Sequence, residues 1–309
     1  MARPRIGLAL GSGSARGWSH IGIIEALHEA GIEPDIVCGT SIGALVGAAY
    51  VTNQLGALKE FAEALTWREI VSLLDVRLSG GGLISGKQIV GLLHRLNINT
   101  AIENCAKPFT AIATDLESGR EIWLHEGPID EAVRASISLP GIFSPAPRED
   151  RWLVDGGLVN PVPVSACRAL GADIVIAVNL NGDIVEQFGV KSSKRPLGRM
   201  PGIPPEFLRR LLEQVPAPIR EQASTIAPKL LRSAPSHPGY FEVLTNSINI
   251  MQDQITRSRL AGEPPHVMLL PRLRAIGLLE FHRAGEAIAE GRACVEQALP
   301  TLRRYIEAA

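Results

Sequence analysis

The stretch Asp35-Ile36-Val37-Cys38-Gly39-Thr40-Ser41-Ile42-Gly43-Ala44-Leu45-Val46-Gly47 holds a strand, a sharp turn and the start of a helix. Ile36 and Val37 are β-branched, the residues from Ile42 onward are apolar without a break, and Gly39-x-Ser41-x-Gly43 lies between them. A serine at such a strand-to-helix turn sits in a strained backbone conformation, and small flanking residues let the two segments pack closely. The following helix points its positive end at the hydroxyl, which favours the negative charge that develops when serine attacks. Taken alone, the five-residue pattern also arises in Gly- and Ser-rich turns, where Ser41 would be an ordinary helix cap.

Working outward, Arg5 to Leu10 reads as a strand, Gly17 to Ala30 as a helix ended by Gly31, and Asp35 to Cys38 as the next strand, a βαβα start. Further strands are expected at Phe109 to Thr114, Glu121 to Leu124, Trp152 to Val154, Ile174 to Asn179 and His266 to Leu270. Strands alternating with helices imply a mostly parallel sheet covered on both faces. The tail from Ile276 to Tyr305 reads as helix with a break near Pro300.

Between the first strand and helix lies Gly11-Ser12-Gly13-Ser14-Ala15-Arg16-Gly17, whose small residues let several N–H groups turn toward one point. A dinucleotide fingerprint needs glycine where Arg16 stands, and a P-loop needs Gly-Lys-Ser or Gly-Lys-Thr after the loop. An oxyanion hole fits best, because the first two strands of a βαβ unit are usually neighbours and the loop would lie beside Ser41. Asp155-Gly156-Gly157 follows the strand near Val154; as a general base Asp155 would need burial to raise its pKa, and the bland alternative is a turn-initiating aspartate. A triad in the usual Ser–acid–His order leaves only His237, His266 and His282. His282 falls in a helical pattern and His266 opens a strand, so all three read as structural, and His20 reads as facing the sheet or solvent.

The chain of 309 residues, 46% hydrophobic, can bury a large core, and 31 Lys and Arg against 32 Asp and Glu leave a net charge of -1. No long-range field would attract nucleic acid. Cys38, Cys105, Cys167 and Cys294 are scattered, without metal-ligand spacing or a disulfide framework, so no metal or cofactor is expected and a reducing cytoplasm is the simplest setting. The basic start Met1-Ala2-Arg3-Pro4-Arg5 is followed by an apolar run too short for a signal peptide. Ile36 to Leu58 carries no charge, but Gly39-Thr40-Ser41 and Thr52-Asn53-Gln54 break it below the length of a membrane span.

Two regions leave the rhythm. Leu78 to Gly82 is Gly-rich and precedes a helix at about Lys87 to Leu96, reading as a loop in a pocket wall. From Lys191 to Pro238 prolines recur among basic residues, which excludes regular sheet or one long helix. That segment reads either as a lid or basic surface touching anionic lipid through Phe207, Leu208, Leu211 and Leu212, or as a solvated excursion. The domain reading is 5–180 as catalytic core, 181–240 as Pro-rich insertion or lid, and 241–309 as helices and a strand completing the same domain.

Gly11 to Gly17, Gly39 to Gly43, Ala135-Ser136-Ile137-Ser138-Leu139-Pro140-Gly141-Ile142-Phe143 and Asp155-Gly156-Gly157, in this order, resemble the four blocks of patatin-like phospholipases. More narrowly, the chain is similar to bacterial members grouped with neuropathy target esterase. The resemblance covers residues 5 to 180 and extends more weakly through Ile276 to Phe281. It implies a three-layer α/β/α patatin-like fold and a serine acyl hydrolase working through a Ser-Asp dyad, with no cofactor. By position, Ser41 would be the nucleophile, Asp155 the base and Gly39 and Gly43 the elbow. The N–H groups of Gly13, Ser14, Ala15 and Arg16 would form the oxyanion hole, Arg16 also ordering the loop. The family commonly has three glycines where this chain has Ser12-Gly13-Ser14; serine is compatible there if its φ stays negative. Leu83, Ile84, Leu139 and Phe143 are expected around an acyl chain, the alternative being core packing.

The implied partner is a lipid or acyl-ester substrate, with peripheral membrane contact as a further expectation; nothing in the sequence fixes the oligomeric state. The alternatives are a soluble carboxylesterase or thioesterase, and a lipid-binding regulatory protein with little turnover.

Overall fold

The computed structural model describes residues 3–66, 69–70, 86–182 and 240–308. The Gly-rich loop expected at 78–82, Leu83 and Ile84, and the Pro-rich segment lie outside them. An eight-stranded sheet runs in the order β5-β6-β3-β2-β1-β7-β8, with β4 on β3. Its strands are β1 Ile6–Leu10, β2 Ile36–Thr40, β3 Phe109–Asp115, β4 Glu121–Leu124, β5 Ala146–Arg148, β6 Arg151–Asp155, β7 Ile174–Val178 and β8 Val267–Leu269. The pairs β1–β2, β1–β7, β2–β3 and β7–β8 are parallel, whereas β4, β5 and β6 join antiparallel.

The sheet is the middle of three layers, as its alternation shows. Leu8, Leu10, Val37, Phe109, Ala111, Ile176 and Val178 enter one core, which they share with α1 (Ser19–Glu29), α2 (Ile42–Val51) and α8 (Ala284–Glu307). Ala9, Ile36, Cys38, Ile112, Val175 and Ala177 enter the other, under α6 (Val164–Ala169) and the end of α7 (Tyr240–Gly262). Strands buried on both faces read as continuous apolar runs, which is why the central ones were legible. Further helices among the described residues are α3 Leu55–Ala64, α4 Lys87–Arg95 and α5 Ile129–Ser136.

The uncharged run from Ile36 resolves into β2, the ten-residue α2 and then α3. Among the described residues no helix is long and apolar enough to cross a membrane. The tail departs from expectation at both ends. Helix α8 starts at Ala284 and runs through Pro300 to Glu307 without a break. Proline leaves the carbonyl four residues earlier without its partner, but Glu296 and Pro300 both face solvent, where water serves. Residues 276–280 are not helical, because their backbone is engaged elsewhere: Ile276 O accepts from Arg16 Nε at 2.9 Å and Leu278 O from Ala15 N–H at 3.0 Å.

The register of β3 positions the site. Strand β4 occupies one edge of β3 across Ala111–Thr114. The other edge must therefore serve both β2, paired as far as Ile112, and β6, paired from Ala113. These two strands run in opposite directions and meet end to end, so the residue after β2, Ser41, abuts the last residue of β6, Asp155.

Candidate active site

Ser41 is held at φ 58° and ψ -123°, a region costing a non-glycine residue on the order of 1–3 kcal/mol. The turn tolerates no larger flanks. A Cβ on Gly43 would stand 2.1 Å from Leu10 O, and one on Gly39 2.4 Å from Gly43 O. The strain aims the hydroxyl at the end of β6, where Ser41 Oγ donates to Asp155 Oδ2 at 2.6 Å. The other carboxylate oxygen, Oδ1, accepts from Gly157 N–H at 2.7 Å. Asp155 is 1% exposed, and burial raises its pKa to about 6 against the opposing hydrogen bonds from Ser41 and Gly157. The expected burial of this carboxyl is thus present, and at neutral pH it is an anion close to its titration point.

The Gly11–Gly17 loop lies beside this pair, fixed from three directions. Gly11 N–H donates to Val178 O and Ser12 N–H to Pro161 O, while His20 Nε2 lies 2.8 Å from Gly11 O. Because a carbonyl only accepts, Nε2 carries the proton, and burial lowers the pKa of this ring to about 4; His20 is a neutral, fully buried support. Arg16, also buried, ties the loop to residue 276.

The expected oxyanion donors separate into two pairs. Ala15 N–H is engaged by Leu278 O and Arg16 N–H by Gly13 O, whereas Gly13 and Ser14 border the cavity at Ser41. Ser14 also corrects an expectation: its φ is 51°, not negative. A serine in the left-handed region costs about 1 kcal/mol or more relative to glycine.

The cavity is lined by Ser12, Gly13, Ser14, Ser41, Leu139 and Asp155, and on its far wall by Ile248, Asn249, Gln252 and Leu278. Its 10 Å³ is room for about one water molecule. Leu139 is where an acyl-pocket residue was expected. Phe143 does not line the cavity; its ring lies under Arg134, 5.8 Å from the guanidinium carbon. Sequence reasoning missed the α7 wall. There, Gln252 Oε1 accepts from Ser12 Oγ at 3.1 Å, a contact 240 residues apart in sequence with no local signature.

Among the described residues no late histidine joins this cavity. His266 Nδ1 accepts Val175 N–H at 3.0 Å, and His282 is exposed in the turn Phe281–Arg283; His237 lies outside the described residues. Among those residues no cluster of three or more His, Cys, Asp or Glu side chains is arranged to hold a metal ion, and the four cysteines are free thiols.

Fold and site together define a three-layer α/β/α protein with a serine on a strained elbow hydrogen-bonded to a buried aspartate. A family model described as patatin-like phospholipase matches residues 8–168. An uncharacterized NTE family protein of Mycobacterium tuberculosis is 34% identical over 337 residues, covering 96% of this chain and 91% of that protein. The human patatin-like phospholipase domain-containing protein 6 is 34% identical over 182 residues, 57% of this chain but 13% of its own length. The structure of VipD from Legionella pneumophila aligns over 97% of this chain and 67% of its own, at 12% identity and a TM-score of 0.46. The chain belongs to the patatin-like phospholipase family and has its fold. At the level of the family this supports a lipid acyl hydrolase.

Proposed function

We propose that the protein cleaves carboxylic esters of lipids, as a phospholipase or lysophospholipase, with Ser41 as nucleophile and Asp155 as base. The observation that carries this is the 2.6 Å hydrogen bond from Ser41 Oγ to a carboxylate that burial has brought to a pKa of about 6. Ser41 Oγ attacks the ester carbonyl carbon while its proton passes to Asp155 Oδ2. The oxyanion is stabilised by the Gly13 and Ser14 N–H groups and by the N-terminal end of α2. The C–O bond then breaks, the alcohol or lysolipid leaves with the proton from Asp155, and an acyl-Ser41 remains. Water, giving its proton to Asp155, attacks the acyl carbon; the bond to Ser41 breaks as Asp155 passes that proton to Ser41 Oγ, and a fatty acid leaves.

A one-water cavity does not admit an acyl chain, so the wall of Ile248, Asn249, Gln252 and Leu278 shifts when substrate binds, and Leu139 receives the chain. Residues 5–180 and 241–309 act in this reading as one domain, supported by β8 pairing with β7 in the same sheet, with 181–240 as an insertion. Peripheral contact with a lipid surface belongs to the same proposal; absence of flotation with both anionic and neutral liposomes would remove it.

The test is fluorophosphonate labelling with peptide mapping. Label is expected at Ser41 in the wild type and in His282→Ala, at under twofold difference in rate, and absent in Ser41→Ala. A label that depends on His282 would overturn the dyad, and none at Ser41 would overturn the hydrolase reading.

A further inference from the structure

Leu139 aside, the block Ala135–Phe143 has no part in the chemistry above, yet its first turn touches both reacting residues. Where β2 and β6 meet on the edge of β3, the regular ladder is interrupted, and main-chain groups there need other partners. Three are met by the end of α5. Ser136 Oγ accepts Ser41 N–H at 2.8 Å and donates its own proton to Ile112 O at 2.6 Å. Two residues on, Ser138 O accepts Asp155 N–H at 3.0 Å. Ser136 and Ser138 are each 0% exposed, so no water can substitute.

We propose that the Ser136–Ser138 turn is the positioning device of the Ser41–Asp155 pair, holding each by its own N–H and so setting the distance between hydroxyl and carboxylate. A side-chain oxygen is needed at 136 because one atom must both accept from Ser41 and donate to Ile112, which hydroxyl does and a methyl group does not. Ser138 supplies only a main-chain carbonyl to Asp155; its hydroxyl serves the turn itself, donating to Arg134 O at 2.8 Å and accepting from Arg134 Nη1 at 2.6 Å. Arg134 Nη2 reaches on to Ser144 O at 2.8 Å, bracing the turn against the segment behind it. Ser136 is therefore a positioning residue. It borders no substrate and acts through the backbone of Ser41, whose positive φ is tolerable only while its N–H is held.

This rests on the hydrolase reading, and the experiment separates the two. Full-length Ser136→Ala, Ser136→Thr and Ser136→Cys are compared with wild type in fluorophosphonate labelling, in hydrolysis of a short p-nitrophenyl ester, and in amide exchange across the Gly39–Gly43 segment. Ser136→Ala is expected to lower kcat about 10- to 100-fold with KM changed less than about threefold, and to speed exchange of the Ser41 amide. Ser136→Thr, which keeps the hydroxyl, should recover all but about fivefold of kcat. Since the Ser41 hydrogen bond lowers the pKa of Asp155, loosening it should also move the acid limb of kcat/KM upward in Ser136→Ala, which a loss of stability alone would not do. If the alanine variant does not fold, the comparison of cysteine, a weak donor and acceptor, with threonine carries the same prediction. Equal kcat in the hydroxyl and non-hydroxyl variants, or unchanged Ser41 exchange, would overturn the proposal. A wild type that takes no label would sink the hydrolase reading, and the exchange comparison would still decide the role of Ser136.

Discussion

Asp155 and His20 are both sealed from water beside the same loop, and burial drives them to opposite ends of usefulness. The Asp155 carboxyl rises to about 6 and remains a base with a proton acceptor aimed at Ser41; the His20 ring falls to about 4 and remains a fixed donor to Gly11 O. The cause is common, since low dielectric disfavours whichever form is charged. The consequence differs because the charged form of aspartate is the one the proposed mechanism needs, whereas for histidine the neutral form is enough to donate to Gly11 O. What separates the proposed reacting group from the supporting one is the partner: a hydroxyl that can give up its proton, or a carbonyl that can only accept.

Stability should record the contrast. A raised carboxyl contributes favourably below its unfolded value near 3.8 and loses that contribution as pH climbs through about 6, so at neutral pH ionised Asp155 costs the fold about 3 kcal/mol. The largest expected effect follows from removing it. Asp155→Asn should cut Ser41 labelling and ester turnover by about 10²–10⁴-fold, and at the same time stabilise the protein by up to about 3 kcal/mol at pH 8 while changing little at pH 3.5. Denaturant unfolding at the two pH values measures this. An inactive variant that gains nothing at pH 8 would mean that Asp155 is not buried as an anion, and the comparison with His20 would lose one of its sides.

The second effect is on rate. With its base titrating near 6, wild-type kcat/KM should be flat above pH 7 and fall about tenfold per pH unit below 6, leaving roughly 1% at pH 4. An acid limb centred near 4 instead would mean that the controlling proton is not that of a carboxyl raised by burial.

How much of this was legible beforehand depended on whether a contact left a local trace. Gly39, Ser41 and Gly43 are close in sequence because one turn needs all three, and the central strands advertise themselves as apolar runs. The order of the blocks then supplied Asp155. The meeting of β2 and β6 on one edge of β3 was not legible, because it depends on register across three strands and not on any residue type. Gln252 over Ser12, Leu278 under Ala15 and the hydroxyl of Ser136 are likewise long-range, and a buried glutamine, leucine or serine looks the same in any helix or turn. Ser14 shows a different limit: sequence favours glycine at positive φ, but a loop fixed at both ends can impose that conformation on serine. Pro300 was misread because a lone proline does not end a long helix when it and the residue four before it lie on the exposed side.

The smallest effect tests the supporting side. His20→Gln keeps an N–H near the place of Nε2 and so should keep the Gly11–Gly17 loop in register, leaving kcat/KM within about fivefold of wild type at pH 7.5. What changes is the response to acid. A ring whose folded pKa is depressed contributes stability above its unfolded value near 6.5 and loses it as pH falls toward about 4, because the unfolded chain takes up the proton first. Wild type should therefore shed about 3 kcal/mol between pH 6.5 and 4 on this account, opposite in sign to the relief that Asp155 gains over the same range. Glutamine removes the histidine contribution and leaves the aspartate one, so His20→Gln should lose less stability than wild type on acidification, and the difference between the two curves isolates the ring. If the curves run parallel, His20 is charged or hydrated in the folded chain, and its hydrogen bond to Gly11 O does not hold the loop as a neutral donor.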